Sequence, residues 1–297
     1  MTTRIRDVVR IANSHRQREG GGFIVRRPFP GMELDLIDPF LLLDEMGPAD
    51  YGPGEAVGAP DHPHRGFETV TYMLEGVFEH EDSAGHKGRI EAGDVQWMTA
   101  GAGIVHSEMP AQEIREKGGR IHGFQIWVNL PARLKMTRPR YQEVPSSRIP
   151  TAQTEDGRAR VRVITGEALG ASAVIDTHIP IVYQDWSLDP GADVTLPLGE
   201  KLAAFVYVFQ GSARVGSDGR LVREGQVAIL GPGDVVRLHS EEGDGPGRLL
   251  LLAGEPIREP IARYGPFVMN TREEILQAMM DFQSGRFGEI TRTAEKR

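Results

Sequence analysis

The chain contains no cysteine. That absence excludes disulfides, thiolate zinc sites, iron–sulfur clusters and cysteine nucleophiles, so any metal must be held by nitrogen and oxygen donors. Long apolar runs are also lacking. The longest, such as Leu202 to Phe209, have the length of a strand and fall far short of a bilayer span. The N-terminus, Met1-Thr2-Thr3-Arg4-Ile5-Arg6-Asp7, has no apolar signal core. Positive charge is not in excess: 34 Lys and Arg stand against 42 Asp and Glu, for a net charge of -8 and a pI near 5.6. Without a basic face, direct binding to nucleic acid is not expected, and neither is a membrane partner. The expected location is the cytoplasm, or also the nucleus in a eukaryote.

Glycine (36) and proline (20), by contrast, are plentiful and recur at short intervals. Between them lie β-rich runs: Glu68 to Leu74, Asp94 to Met98, Gly123 to Asn129, Val161 to Thr165, Phe205 to Phe209, Val227 to Leu230 and Arg248 to Leu252. Short strands punctuated by turns predict an all-β sandwich or barrel, and 297 residues suffice for one large or two ordinary domains. The halves also repeat. His62-Pro63-His64, Glu75-Gly76 and Gly93-Asp94-Val95 are answered by Leu196-Pro197-Leu198, Gln210-Gly211 and Gly225-Gln226-Val227, at offsets of 134 (196 minus 62), 135 (211 minus 76) and 132 (225 minus 93). A duplicated barrel is expected, with leucines in the second copy where the first has histidines. His239 falls near the position matching His106. The Pro- and Arg-rich stretch from Leu130 to Pro145 reads as the connection, dividing the chain into 1–133 and 134–297. One helix is expected over about 271–284. Thr271 and Glu274 form a capping box, Ile275, Leu276, Met279 and Met280 form an apolar stripe read as core packing, and Ser284-Gly285 ends it.

The chemistry lies in two segments, Asp61-His62-Pro63-His64-Arg65-Gly66-Phe67-Glu68 and Gly103-Ile104-Val105-His106-Ser107-Glu108. Each carries a ligand pair spaced i, i+2. Successive side chains of a strand alternate faces, so each pair shares one face. If the strands oppose each other, His62, His64, His106 and Glu108 converge on one divalent transition metal. The other histidines (His15, His80, His86, His122, His178 and His239) read as surface or core residues. Arg65 reads as an ion-pair residue at the surface or behind the ligands. Gly20-Gly21-Gly22 and Gly231-Pro232-Gly233-Asp234 read as turns, since neither is followed by the Lys-Ser/Thr of a phosphate loop.

At these residues the sequence resembles the pirin family of bicupins. The likeness rests on Pro60 to Gly76, Trp97 to Glu108, His122 to Leu130 and Glu259 to Thr271, and spans nearly the whole chain. It implies two stacked cupin (jelly-roll) barrels, with metal only in the N-terminal one. The family's ligands fall on His62, His64, His106 and Glu108. Many other cupins use a Glu four residues after the second His, where Glu68 stands. Strand parity would place Glu68 on the face of His64, so it remains an alternative to the favoured Glu108.

Three histidines and a carboxylate leave two positions of an octahedral ion open. The donor set suits Fe(II), Mn, Ni, Co or Cu, with Zn possible; the resemblance implies iron. It also implies a quercetin 2,3-dioxygenase activity, in which O2 opens the central ring of a flavonol and carbon monoxide is released. Glu108 is then the catalytic base for the flavonol 3-hydroxyl. Phe67, Met73, Met98, Phe124, Gln125 and Trp127 are candidates for the substrate pocket. The alternative is a metal-bearing, redox-sensitive regulatory protein of the transcription-cofactor kind, which binds protein partners. A sugar-binding or isomerase cupin is a weaker third reading, because Lys, Arg, Asn and Gln are sparse around the motif.

Overall fold

The computed structural model describes residues 3–292. The β-rich runs become strands, as their β-branched content and turn punctuation dictate. The first are β1 (Val8–Asn13), β2 (His15–Glu19), β3 (Phe23–Phe29), β4 (Phe40–Tyr51), β5 (Ala59–His64), β6 (Phe67–Glu75), β7 (Phe78–Asp82), β8 (Lys87–Ile90), β9 (Val95–Thr99) and β10 (Ile104–Pro110). A short helix, α1 (Gln112–Lys117), precedes β11 (Gly119–Asn129) and β12 (Arg140–Val144). Next come β13 (Thr151–Gln153), β14 (Ala159–Thr165), β15 (Glu167–Ala168), β16 (Ala171–Ser172), β17 (Ile181–Leu188), β18 (Asp193–Pro197) and β19 (Ala203–Gln210). The series ends with β20 (Ser212–Val215), β21 (Arg220–Arg223), β22 (Gln226–Leu230), β23 (Val235–His239), β24 (Gly247–Gly254), β25 (Ala262–Tyr264), β26 (Phe267–Met269) and helix α2 (Arg272–Gln283).

Two compact units result, and each is discontinuous in sequence. One takes the chain up to His15, Arg26–Leu43 and Ser147–Pro256; the other takes Arg16–Val25, Asp44–Ser146 and the chain from Ile257. Their sheets correspond strand for strand. The small sheets run β5-β10-β7-β8 and β18-β23-β20-β21; the large ones run β12-β9-β6-β11-β4-β3-β2 and β1-β22-β19-β24-β17-β14-β13. The fold is therefore all-β, two cupin barrels with a short C-terminal helix. β1 holds in one barrel the edge that β12 holds in the other.

That correspondence corrects the boundary at 133/134. Residues 134–146 are more than a connection, because β12 pairs along β9 (Tyr141 opposite Met98) and Lys135 is buried. The first strand pairs with β22 in the barrel built mainly from the second half. Conversely, the β25–β26 hairpin joins the histidine-bearing barrel through a bridge between Phe267 and Arg65.

The register also relocates the degenerate site. His62 lies opposite His106, whereas Leu196 lies opposite Val236. The counterpart of His106 is thus Val236, not His239, which pairs with Asp193 at the far end of β23. Leu196, Leu198, Val236 and Leu238 are all buried in that barrel's apolar core. Hydrocarbon fills the space that ligands would take.

Helix α2 begins as expected. The Thr271 hydroxyl accepts from the Glu274 amide at 3.2 Å, and the Glu274 carboxylate accepts from the Thr271 amide at 2.9 Å. Its buried face differs from the expected stripe. Ile275, Ala278 and Asp281 are buried, while Leu276 and Met280 are 51% and 54% exposed. Adjacent residues point about 100° apart around a helix, so 276 and 280 turn away once 275, 278 and 279 pack on Val105, Phe267 and Met269. Among the described residues, no helix is long and apolar enough to cross a membrane.

Candidate metal centre

The centre is assembled by the β5–β10 ladder. His62 and His64 project from β5, and His106 and Glu108 from β10. An extra residue lies in β5, between the pair His62–His106 and the pair Ala59–Glu108. Strand β10 itself runs regularly along β7, with Asp82 opposite His106 and His80 opposite Glu108. His106 and Glu108 therefore keep a common face.

The three imidazoles come together. One nitrogen from each of His62, His64 and His106 lies within 4.8 Å of the others. Ring centroids are separated by 4.6 Å (His62–His64), 4.4 Å (His62–His106) and 5.0 Å (His64–His106). His62 Nδ1 donates to the Pro60 carbonyl at 2.8 Å, which fixes its tautomer and leaves Nε2 as a lone-pair donor. That Nε2 stands 3.0 Å from His64 Nε2. Two cis ligands of a six-coordinate ion at about 2.1 Å are separated by about 3.0 Å. His64 is 3% exposed and His106 0%. The His64 Nδ1 and both ring nitrogens of His106 have no hydrogen-bond partner among the described residues. A buried, unbonded nitrogen costs about 1–3 kcal/mol, and coordination would relieve that cost at one nitrogen of His106. Burial, reinforced by the neighbouring His62, holds His64 and His106 well below the usual imidazole range, so they stay neutral as ligands must be. The residues fit a divalent transition metal.

The two candidate carboxylates separate clearly. Glu108 is buried, and the Thr71 hydroxyl donates to its Oε1 at 2.8 Å. It stands outside the tight group of imidazole nitrogens, beside a small cavity also lined by Phe23, Met46, Thr71, Phe78 and Gln125. Glu68 points the other way. Phe67, whose ring is 5.1 Å from that of His64, and Thr71, bonded to Glu108, share one face of β6. Residue 68 lies on the opposite face, where Thr99 donates to its carboxylate at 2.7 Å. Parity carried through residues 64–68 misleads because the chain turns between β5 and β6. Gly66 there has φ +90°, and a Cβ would stand 2.0 Å from the Val268 carbonyl.

The pocket candidates divide as well. Phe67 and Trp127 flank the histidines: the Trp127 ring is 5.3 Å from His64 and 4.3 Å from Phe67. Gln125 lines the cavity at Glu108. Met73 is packed among Val25, Met46, Phe78 and Ile121, and Met98 among Ala100, Ile104 and Tyr141; both are ordinary core. Phe124 faces away from the site, its ring centroid 6.3 Å from that of Tyr72 and inclined to it by 27°. Strand parity explains this, because 124 differs from 125 and 127 by odd steps.

The supporting residues other than Arg65 escaped the sequence reading. Of the two places offered for Arg65, at the surface or behind the ligands, it takes the buried one, as an ion-pair residue. Its Nε donates to Ala102 O at 2.6 Å, its Nη1 to Asp281 Oδ2 at 2.8 Å, and it covers the Phe287 ring at 4.5 Å. Lys135 donates to Gly66 O, Asn129 Oδ1 and Val268 O at 2.8, 2.7 and 3.0 Å. Burial pushes its ammonium down to about 8. Arg292 forks onto Asp61 at 2.5 and 3.0 Å, beside His62. His80, read as a non-ligand, lies 2.6 Å from Glu143. These partners come from segments up to 231 residues away, so no local pattern announces them.

Comparison with known proteins agrees with this architecture. The pirin family model matches residues 22–128, and the pirin C-terminal cupin domain model matches residues 183–288. A pirin-like protein of Solanum lycopersicum is 46% identical over 287 residues, covering 96% of this chain and 94% of its own. Pirin of Homo sapiens is 45% identical over 280 residues, covering 93% and 91%. Among solved structures, a quercetin 2,3-dioxygenase from Acinetobacter baumannii superposes with a TM-score of 0.90 at 39% identity, covering 97% of this chain and 100% of that one. A bacterial pirin from Escherichia coli in complex with nickel(II) shares the fold, with a TM-score of 0.63 at 20% identity and coverage of 83% and 99%. With both family models matched in order and relatives similar along nearly their whole length, the chain belongs to the pirin family.

Proposed function

We propose that the protein is a metal-dependent dioxygenase that cleaves flavonols such as quercetin with O2, releasing carbon monoxide. The observation that carries this reading is the trio of imidazoles, two of them buried with unbonded nitrogens, beside a carboxylate. The likeness to a quercetin 2,3-dioxygenase at 39% identity supports it. His62, His64 and His106 would hold one divalent metal, with Glu108 as fourth ligand and iron as the expected ion. When bound, the metal supplies Lewis-acid activation and a place for the flavonol oxygen and O2.

The chain's own residues do the rest. Glu108 takes the proton of the flavonol 3-hydroxyl. Thr71 engages Oε1, so Oε2 is the atom that would ligate the metal and that, when not so engaged, would receive the proton. Trp127, partly exposed beside His64 and backed by the buried Phe67, is the aromatic side chain that an aromatic substrate would meet. Gln125 orients a polar substituent from the cavity wall.

The test is oxygen-dependent loss of quercetin absorbance with carbon monoxide release, by metal-stripped protein reloaded with Fe(II). His62→Ala and Glu108→Ala should abolish turnover while the fold survives. Metal bound, fold intact and no turnover would overturn the assignment. In that event the regulatory reading gains. Leu276 and Met280, exposed by 51% and 54% on one side of α2, are the observation that favours a protein partner. Partner binding should then differ between the Fe(II)- and Fe(III)-loaded protein.

A further inference from the structure

Strand β5 carries two of the three histidines, yet its own pairing is poor. It lies at the edge of its four-stranded sheet, so within that sheet only β10 supports it. Pro60 and Pro63 bring no N–H to the ladder. Pro60 and Asp61 together oppose Ser107, so regular pairing lapses one residue from His62. The two ends of the strand are secured differently. At the His64 end, the Arg65 amide donates to Pro266 O at 3.3 Å and the Val268 amide donates to Arg65 O at 3.0 Å. The His62 end has the bulge, and the imidazole leans on it, because His62 Nδ1 donates to Pro60 O at 2.8 Å.

The chain beyond α2 ties this second end. It runs over the outer face of the small sheet, where Val105 packs with Phe287 and the Ser83 hydroxyl donates to Phe287 O at 2.6 Å. The Arg292 guanidinium then spans three strands. Nη1 and Nη2 fork onto the two Asp61 oxygens at 3.0 and 2.5 Å, Nη2 also reaches Ser107 Oγ at 3.4 Å, and Nε donates to Glu81 Oε2 at 3.1 Å. Ser107 and Glu81 are register partners on β10 and β7. Asp61 adjoins His62, and Ser107 lies between His106 and Glu108. Alternation therefore puts these contacts on the face opposite the ligands, directly behind them. A bidentate fork fixes direction as well as distance. Asp61 is the link between Pro60, whose carbonyl orients His62, and His62 itself.

We propose that Arg292 is a positioning residue of the histidine centre. By clamping Asp61 to Glu81 across the outer face, it holds β5 against β10 and keeps His62 in place for a metal. The inference rests on the reading of the three histidines as metal ligands, but not on the dioxygenase reaction.

The test is Co(II) binding to the full-length, metal-stripped protein, followed by visible absorption in competition with a chelator. Arg292→Ala should bind Co(II) about tenfold more weakly, the low end for partners that orient a ligand from behind. Its cobalt absorption bands should also shift as His62 loosens. Arg292→Lys, which keeps the charge but reaches one carboxylate at a time, should restore part of both. Charge alone predicts the reverse sign, since removing a nearby cation favours a divalent ion. Tighter binding in Arg292→Ala would therefore overturn the proposal. So would a lower melting temperature with unchanged cobalt affinity and bands, the result for a merely structural ion pair. Absence of cobalt binding by the unaltered protein would overturn this proposal and the metal reading together. A failed quercetin assay with cobalt binding as expected would count against the dioxygenase alone.

Discussion

His64 and His106 carry the site's clearest electrostatic signature. Both are buried and held well below the ordinary imidazole value. In the metal-free protein the native state leaves them neutral, whereas the unfolded chain takes up their protons below about pH 6.5. The native state then binds fewer protons, so stability falls as the pH drops. Urea unfolding of metal-free protein should give a stability lower at pH 5.5 than at pH 7.5 by on the order of 2–3 kcal/mol. In His106→Leu the difference should shrink to roughly half. The leucine should fold well, because Val236 and its leucine neighbours fill the same positions of the other barrel. An unchanged pH difference in that variant would show that other groups set the acid response.

Among the elements, α2 is held by a buried ion pair as well as by apolar packing. Asp281 accepts from Arg65 at 2.8 Å, and also from Gln277 and Arg286 at 2.8 and 2.6 Å. The hydrogen bonds from Arg65 and then Gln277, against an opposing effect of burial, hold its carboxyl below the usual range. The Arg65 side chain is only 5% exposed, so removing its partner leaves a buried cation uncompensated. Asp281→Ala should cost about 3–5 kcal/mol, read as a lower urea midpoint. Because Arg65 adjoins His64, the same variant should weaken metal retention, measured by elemental analysis after dialysis. Full stability in the variant would mean that the ion pair contributes little beyond the apolar packing of Ile275 and Ala278.

For the molecule as a whole, one barrel closes with a strand from a distant part of the chain, the other with a strand from its own half. β1 pairs with β22 through Ile11 opposite Ala228 and Ala12 opposite Val227, while β12 pairs with β9. Deleting residues 1–14 should expose the β22 edge and the core beneath Ala12, which is fully buried. The expected result is a barrel that melts at lower temperature and a chain more prone to associate. The histidine cluster draws nothing from this segment. Zinc uptake by the soluble fraction should therefore stay near one ion per chain, and its loss would show that the two barrels fold as one cooperative body.

Local pattern made much of this protein legible. The i, i+2 spacing of His62 with His64 and of His106 with Glu108 placed each pair on one face, because alternation within a strand is a property of the backbone alone. The capping box at Thr271 was readable for the same reason: its partners lie three residues apart. The repeat announced two barrels, since equal spacing of turns imposes equal strands. Tertiary structure alone decided the rest. The turn at Gly66 broke strand parity and sent Glu68 to Thr99 instead of to the histidine cluster. Register placed Val236 opposite Leu196, which a count of residues could not, because loops of different length shift the offset. The exchange of chain ends, with Asp281 and Arg263 brought to the strands of His64 and Trp127, involves partners 216 and 136 (263 minus 127) residues away. Contacts at that distance leave no periodic trace in a sequence, because they depend on where whole strands lie once the barrel has closed.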